Sequence, residues 1–271
     1  MQITQIFYIR LIVDIMKKLS LTYAELPNGA GDADLLLPDE IQDDKFPVLV
    51  LHGGGWASMD KKDLIGVAEF FAENGYPVLN ANYRLSRNAV WPACAEDCQT
   101  AAHYLLDNIH ALTGHVIPKR LLVAGGSSGG HLALFTGLAL PPECVAGIVA
   151  ISPIAVPYPD IEPHPERYRL LFGHPATHND LADIDPARLL SPASPPVFIS
   201  HSPLDDVVPI ESPRLFMEKA RSMGCQTMFY EYEGIGTGHR IWRLGITPHR
   251  LLPELEEAIL KFLKTLPPAK E

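Results

Sequence analysis

The sequence is short of positive charge, of paired cysteines and of any apolar run long enough to cross a bilayer. Lysine and arginine number 22 against 32 aspartates and glutamates, a formal net charge of -10. A field of that sign repels phosphate backbones and anionic lipid, which argues against nucleic-acid and membrane-surface partners. Cys94, Cys98, Cys144 and Cys225 are the only cysteines and form no C-x-x-C pair. Free, buried thiols in a reducing compartment are therefore expected, not disulfides. Residues 1–16 are apolar in bulk, but Asp14 interrupts them, no small-residue cleavage site follows, and the stretch is too short to span a membrane. The expectation is a cytoplasmic protein with an extension over residues 1–18, the first fifteen packed on the surface as a short helix. The chain also lacks G-x-G-x-x-G, a P-loop lysine and H-E-x-x-H. His164, His174 and His178 are scattered without ligand spacing, so neither a metal nor a cofactor is expected.

What is present suits a soluble globular domain. Hydrophobic residues make up 47% and charged residues 20% of 271 residues, enough for one large core. Two short strands are predicted over 19–25 and 33–37, joined by the turn-rich residues 27–32. Residues 46–51 (FPVLVL) form a continuous apolar run, as in a strand buried on both faces of a parallel sheet. Helical spacing follows over 61–74, ending near Gly75. Residues 77–83 read as a strand, 95–109 as a helix, 120–124 as a strand, and 144–151 as another strand. The rhythm breaks over 153–193, which is rich in Pro, His and Asp, with weak helical spacing only near 168–172. That length suits an inserted cap better than a connection. Strand 196–200, helix 209–223, strand 227–232 and helix 248–266 complete an α/β pattern. It predicts a single domain over 19–271 with a mostly parallel sheet, helices on both faces and a small cap.

The chemistry centres on residues 121–134, LLVAGGSSGGHLAL. A strand, a glycine-flanked serine and a helix make the outline of a nucleophile elbow. Two registers fit G-x-S-x-G, one on Ser127 and one on Ser128, and Ser127, earlier after the strand, is favoured. A phosphate-binding loop is the plainer alternative, but no lysine accompanies the glycines. Upstream, His52-Gly53-Gly54-Gly55 follows a buried strand, from which backbone N–H groups can reach a developing oxyanion. Alone, three glycines would be an ordinary turn. Downstream, Asp205 and Asp206 follow the strand 196–200, at the sheet edge where ligands bind. Asp205 is preferred as the acid because Asp206 suits the start of the next turn. Only His239 and His249 come late enough to serve as base in the order Ser, Asp, His. His239, in the glycine-rich loop 234–238, is favoured, and His249 reads as a packing residue. His131 and His201 read as hydrogen-bonded structural residues, and Arg84 with Asp97 as a tie between a strand loop and the next helix.

Together, HGGGW at 52–56, NYRL at 82–85, WPACAEDC at 91–98, GGSSGGHLA at 125–133 and HSPLDDVVP at 201–209 resemble the hormone-sensitive-lipase branch of α/β-hydrolases. That branch includes small esterases of the BD-FAE kind. The resemblance implies an α/β-hydrolase fold with Ser127 as nucleophile, Asp205 as acid and His239 as base. It further implies an oxyanion hole from Gly54, Gly55 and the Ser128 amide. Three departures stand out: Ser128 replaces the usual alanine, His201-Ser202 replaces HG, and Ser86-Arg87-Asn88 replaces APE.

The expected activity is hydrolysis of a small acyl or aryl carboxylic ester through an acyl-enzyme, without a cofactor. Trp56, Trp91 and the insert 153–193 are expected to wall the substrate pocket. The same groups could serve an arylformamidase or a short-peptide hydrolase, and a non-catalytic hydrolase-like binding protein is a rival of another class. The expected partner is a small-molecule ester, and the sequence leaves a monomer and a homodimer open.

Overall fold

A computed structural model describes residues 16–233, 238–239 and 250–268. The expected helix over residues 1–15, His249 and residues 236–237 lie outside the described residues. Among the described residues the sheet has eight strands: β1 (Met16–Thr22), β2 (Asp32–Pro38), β3 (Val48–Leu51), β4 (Val78–Ala81), β5 (Leu121–Gly126), β6 (Val145–Ile151), β7 (Val197–His201) and β8 (Thr227–Glu231). Their order is β1-β2-β4-β3-β5-β6-β7-β8. β1 and β2 are antiparallel to each other, and β2 to β4. From β4 through β8 every pairing is parallel. The first strand starts at Met16, three residues earlier than its sequence reading, so residues 16–18 belong to the sheet and not to an extension.

Period-two alternation divides the core between the two faces. In β3, Val48 and Val50 pack with α1 (Ile65–Glu73) and α8 (Pro253–Leu263), through Phe70, Phe71 and Phe262. Leu49 and Leu51 point the other way, among side chains of α2 (Ala93–Thr113) and α3 (Ser128–Ala139). Because both faces are covered, the central strands carry no polar face, which is why they read as unbroken apolar runs. No described helix is long and apolar enough to cross a membrane.

The insert is more regular than its sequence suggests. It folds as α4 (Tyr158–Ile161), α5 (Pro165–Phe172), α6 (His178–Ile184) and a turn of 3-10 helix over Pro186–Leu189. α5 starts with proline and stops at Gly173, at φ 77, the left-handed conformation that ends helices. Thr177 and Asp180 cap α6 reciprocally. α7 (Glu211–Ser222) then returns the chain to β8.

Candidate active site

Ser127 occupies the bend between β5 and α3, with φ 57 and ψ -126. A non-glycine residue in that region is strained and persists only where its surroundings hold it. Its N–H donates to the Ile151 carbonyl at 2.9 Å, and its own carbonyl accepts from His131 N–H at 3.0 Å. The glycines two residues to each side are required by close approach. A Cβ at Gly125 would stand 2.2 Å from the Gly129 carbonyl oxygen, and one at Gly129 would stand 2.2 Å from those of Leu51 and His52. The elbow glycines thus let α3 sit directly against the end of β3, which carries the glycine loop.

At the bend the two serine registers separate. Ser127 Oγ lies 2.8 Å from His239 Nε2, and His239 Nδ1 lies 2.8 Å from Asp205 Oδ2. Ser128 is fully buried and faces elsewhere, its Oγ accepting the Trp56 N–H at 3.1 Å. This bond ties the glycine loop to the first residue of α3, a role the sequence reading missed.

Asp205 and Asp206 also separate. The other oxygen of Asp205 accepts the N–H groups of Val207 and Val208, both at 2.9 Å, so Asp205 itself caps the turn assigned above to Asp206. Asp206 is exposed. Burial opposes charge on Asp205, but the His239 hydrogen bond and charge and the Val208 amide outweigh it and hold the carboxyl below its ordinary value. It is therefore ionised at neutral pH beside the imidazole.

The glycine loop has its own supports. The His52 ring stacks on Tyr83, with centroids 4.3 Å apart, and its Nδ1 lies 2.7 Å from the Gly53 carbonyl. Tyr83 OH donates to the His52 carbonyl at 2.7 Å. Burial lowers the His52 pKa to about 4, so the ring is neutral. Gly54 has φ 112, and a Cβ there would meet the Ser58 carbonyl at 2.0 Å. The N–H groups of Gly54, Gly55 and Ser128 donate to no acceptor among the described residues. The last of these lies at the positive end of α3.

Trp56 corrects the expectation of a pocket wall. It has no exposed surface; its Nε1–H donates to His131 Nδ1 at 3.2 Å, and its ring packs against Tyr168. A φ of 59 at Trp56 accompanies the inward turn of the chain here, and the buried indole N–H finds its partner in His131. His131 Nε2 in turn donates to the Ile184 carbonyl at 2.7 Å, so this histidine links α3, the glycine loop and the insert. Trp91 keeps part of its surface and stands edge-on to Phe135.

Other expected roles are met by direct contacts. Asp97 accepts the backbone N–H of Arg84 at 2.8 Å and the Nε–H and Nη2–H of its guanidinium. The cysteines are unpaired, and burial pushes the Cys94 thiol up to about 12, far from a reactive thiolate. The insert also holds a group no sequence signal marks. Asp160, with no exposed side-chain surface, accepts from Arg167 Nη1 on both of its oxygens at 3.1 Å and from Tyr168 OH at 2.8 Å. Arg167 Nη2 donates to the Val207 carbonyl at 3.4 Å, beside the Asp205 turn.

The BD-FAE family model matches residues 33–144. Esterase LipQ of Mycobacterium tuberculosis is 26% identical over 89% of this chain and 61% of its own length. The chain spans about three fifths of the length of the first curated relatives it matches. Among solved structures, a truncated carbohydrate esterase from gut microbiota superposes with a TM-score of 0.76 at 20% identity, covering 93% of this chain and 96% of that one. Est2, a thermophilic esterase of Thermogutta terrifontis, gives 0.67 at 24% identity over 91% and 90% of the two chains.

Proposed function

We propose, from the premise that this chain is an α/β-hydrolase related to the BD-FAE-like esterases, that it is a serine carboxylesterase. His239 takes the Ser127 proton as Oγ adds to the ester carbonyl. Asp205 holds the imidazole in the tautomer with hydrogen on Nδ1 and stabilises the imidazolium as it forms. The N–H groups of Gly54, Gly55 and Ser128 receive the oxyanion, each such donor lowering the barrier by about 3–4 kcal/mol. Collapse of the tetrahedral species expels the alcohol, which takes the proton from His239. Water then gives a proton to His239 and attacks the acyl-enzyme, releasing the acid and freeing Ser127.

The observation that carries this reading is the single imidazole bridging a strained serine and a buried carboxylate, with 2.8 Å on each side. The insert 153–193 is read as a modest cap on one domain, favouring a small acyl or aryl group, and Trp91 as a pocket residue. Four unpaired cysteines favour a cytoplasmic setting. The test is a panel of aryl esters of graded acyl length, with hydroxycinnamoyl esters and a formamide included. Short or aryl esters should turn over, Ser127→Ala should abolish turnover, and preference for the formamide or for long chains would overturn the assignment.

A further inference from the structure

Asp205 touches two histidines, and the reaction uses only one of them. His201, the last residue of β7, has no exposed surface. Its Nε2 lies 3.0 Å from the Val208 carbonyl and 3.3 Å from Asp205 Oδ2, the same oxygen that His239 Nδ1 approaches at 2.8 Å. Both neighbours of Nε2 are acceptors, so Nε2 carries the hydrogen and Nδ1 is the bare nitrogen. Nδ1 is buried and has no hydrogen-bond partner among the described residues. An unpartnered buried acceptor is destabilising, and an apolar side chain of this size would not incur that penalty. His201 is therefore a poor choice for packing alone.

We propose that His201 is a positioning residue for the acid: its Nε2–H, hydrogen-bonded to the Val208 carbonyl and 3.3 Å from Asp205 Oδ2, sets the positive end of its dipole beside the oxygen that faces His239. The inference rests on reading Ser127, His239 and Asp205 as the catalytic set. Oδ1 of the carboxylate is held by two backbone amides and Oδ2 by the His239 ring, with the His201 ring 3.3 Å from the same oxygen. Of the other charged groups acting on His201, Glu231 of β8 is held by Arg214 of α7 at 2.7 Å. Burial keeps His201 neutral despite Asp205, so the group acts as a fixed dipole and not as a second charge.

The sign of the effect follows. An N–H dipole beside Oδ2 offsets part of the carboxylate charge. Removing it leaves that charge less compensated, so the acid limb of the kcat/KM profile moves to higher pH. His201→Leu should show this shift. His201→Gln, whose amide nitrogen reaches the place of Nε2, should restore the limb. A limb that stays put in His201→Leu, with only thermal stability reduced, would reduce His201 to packing and overturn the proposal. Should His201→Leu fail to fold, nitrogen-15 spectra of the parent decide. The expected result is a neutral, Nε2-protonated His201 at pH 7–8, and an imidazolium or the opposite tautomer there would overturn it. Turnover retained in Ser127→Ala would instead refute the catalytic set itself, so the two failures are distinguishable.

Discussion

Arg167→Met separates charge pairing from packing in the insert. The methionine keeps most of the aliphatic stem but leaves Asp160, whose side chain has no exposed surface, with Tyr168 OH as its remaining side-chain partner. Removing one member of a buried pair is destabilising by about 3–5 kcal/mol. Arg167 is itself 17% exposed, which favours the lower end. At about 2–4 °C per kcal/mol for a domain near this size, about 3 kcal/mol lowers Tm by roughly 6–12 °C. Burial already raises the Asp160 pKa, and loss of the guanidinium raises it further. The folded state then binds a proton more tightly than the unfolded one, so stability falls as pH rises from the unfolded carboxylate value, about 4, through the folded one. The deficit relative to the parent should be smallest near pH 4–5 and full at pH 8. Thermal unfolding followed by circular dichroism at both pH values measures it. Adding Asp160→Asn to Arg167→Met should recover most of the loss at pH 8. An Arg167→Met protein within about 2 °C of the parent at pH 8, or a loss that Asp160→Asn does not relieve, would refute the reasoning.

Three further outcomes follow from the geometry. Asp205→Asn should lower kcat by about 10⁴-fold in steady-state kinetics, because an amide can favour the wrong imidazole tautomer, while Asp206→Asn should change it less than about threefold. Gly129→Ala should lose activity and stability together, since its methyl would lie 2.2 Å from two carbonyl oxygens behind the glycine loop; chemical unfolding and ester turnover report both. Trp56→Phe should lower stability by about 1–3 kcal/mol in urea unfolding by removing the indole donor from buried His131, without changing the acyl-length preference that a pocket wall would set.

The fold was legible where one physical cause dominated. The apolar runs of β3, β5 and β6 could only be strands covered on both faces, and the glycines around Ser127 announced a bend too tight for a Cβ. The paired carbonyls against Gly125 and Gly129 give that signal its physical basis. The insert was less legible because its helices are short and bury only part of their surface. Its signals were local and present, in Pro165 and Gly173 at the two ends of α5 and the Thr177–Asp180 cap of α6. Trp56 was misjudged because a ring beside a glycine loop can face the ligand or the core, and that choice depends on the backbone angle and on His131, 75 residues away. The Asp160–Arg167 pair and the second histidine on Asp205 had no periodicity to reveal them, since each pair is close in sequence but spans a turn between elements and lies within no single helix or strand. The register at the elbow, Ser127 or Ser128, turned on which hydroxyl the chain spends on its own backbone. Ser128 gives its oxygen to Trp56 N–H, and Ser127 keeps its own for His239.

The most direct test of the central claim is labelling with a fluorophosphonate, followed by mass spectrometry of the elbow peptide. The account predicts one adduct per chain on Ser127, retained in Ser128→Ala, lost in Ser127→Ala and strongly slowed in His239→Ala. An adduct on Ser128, or a folded parent protein that takes no label while its esters go unhydrolysed, would contradict it.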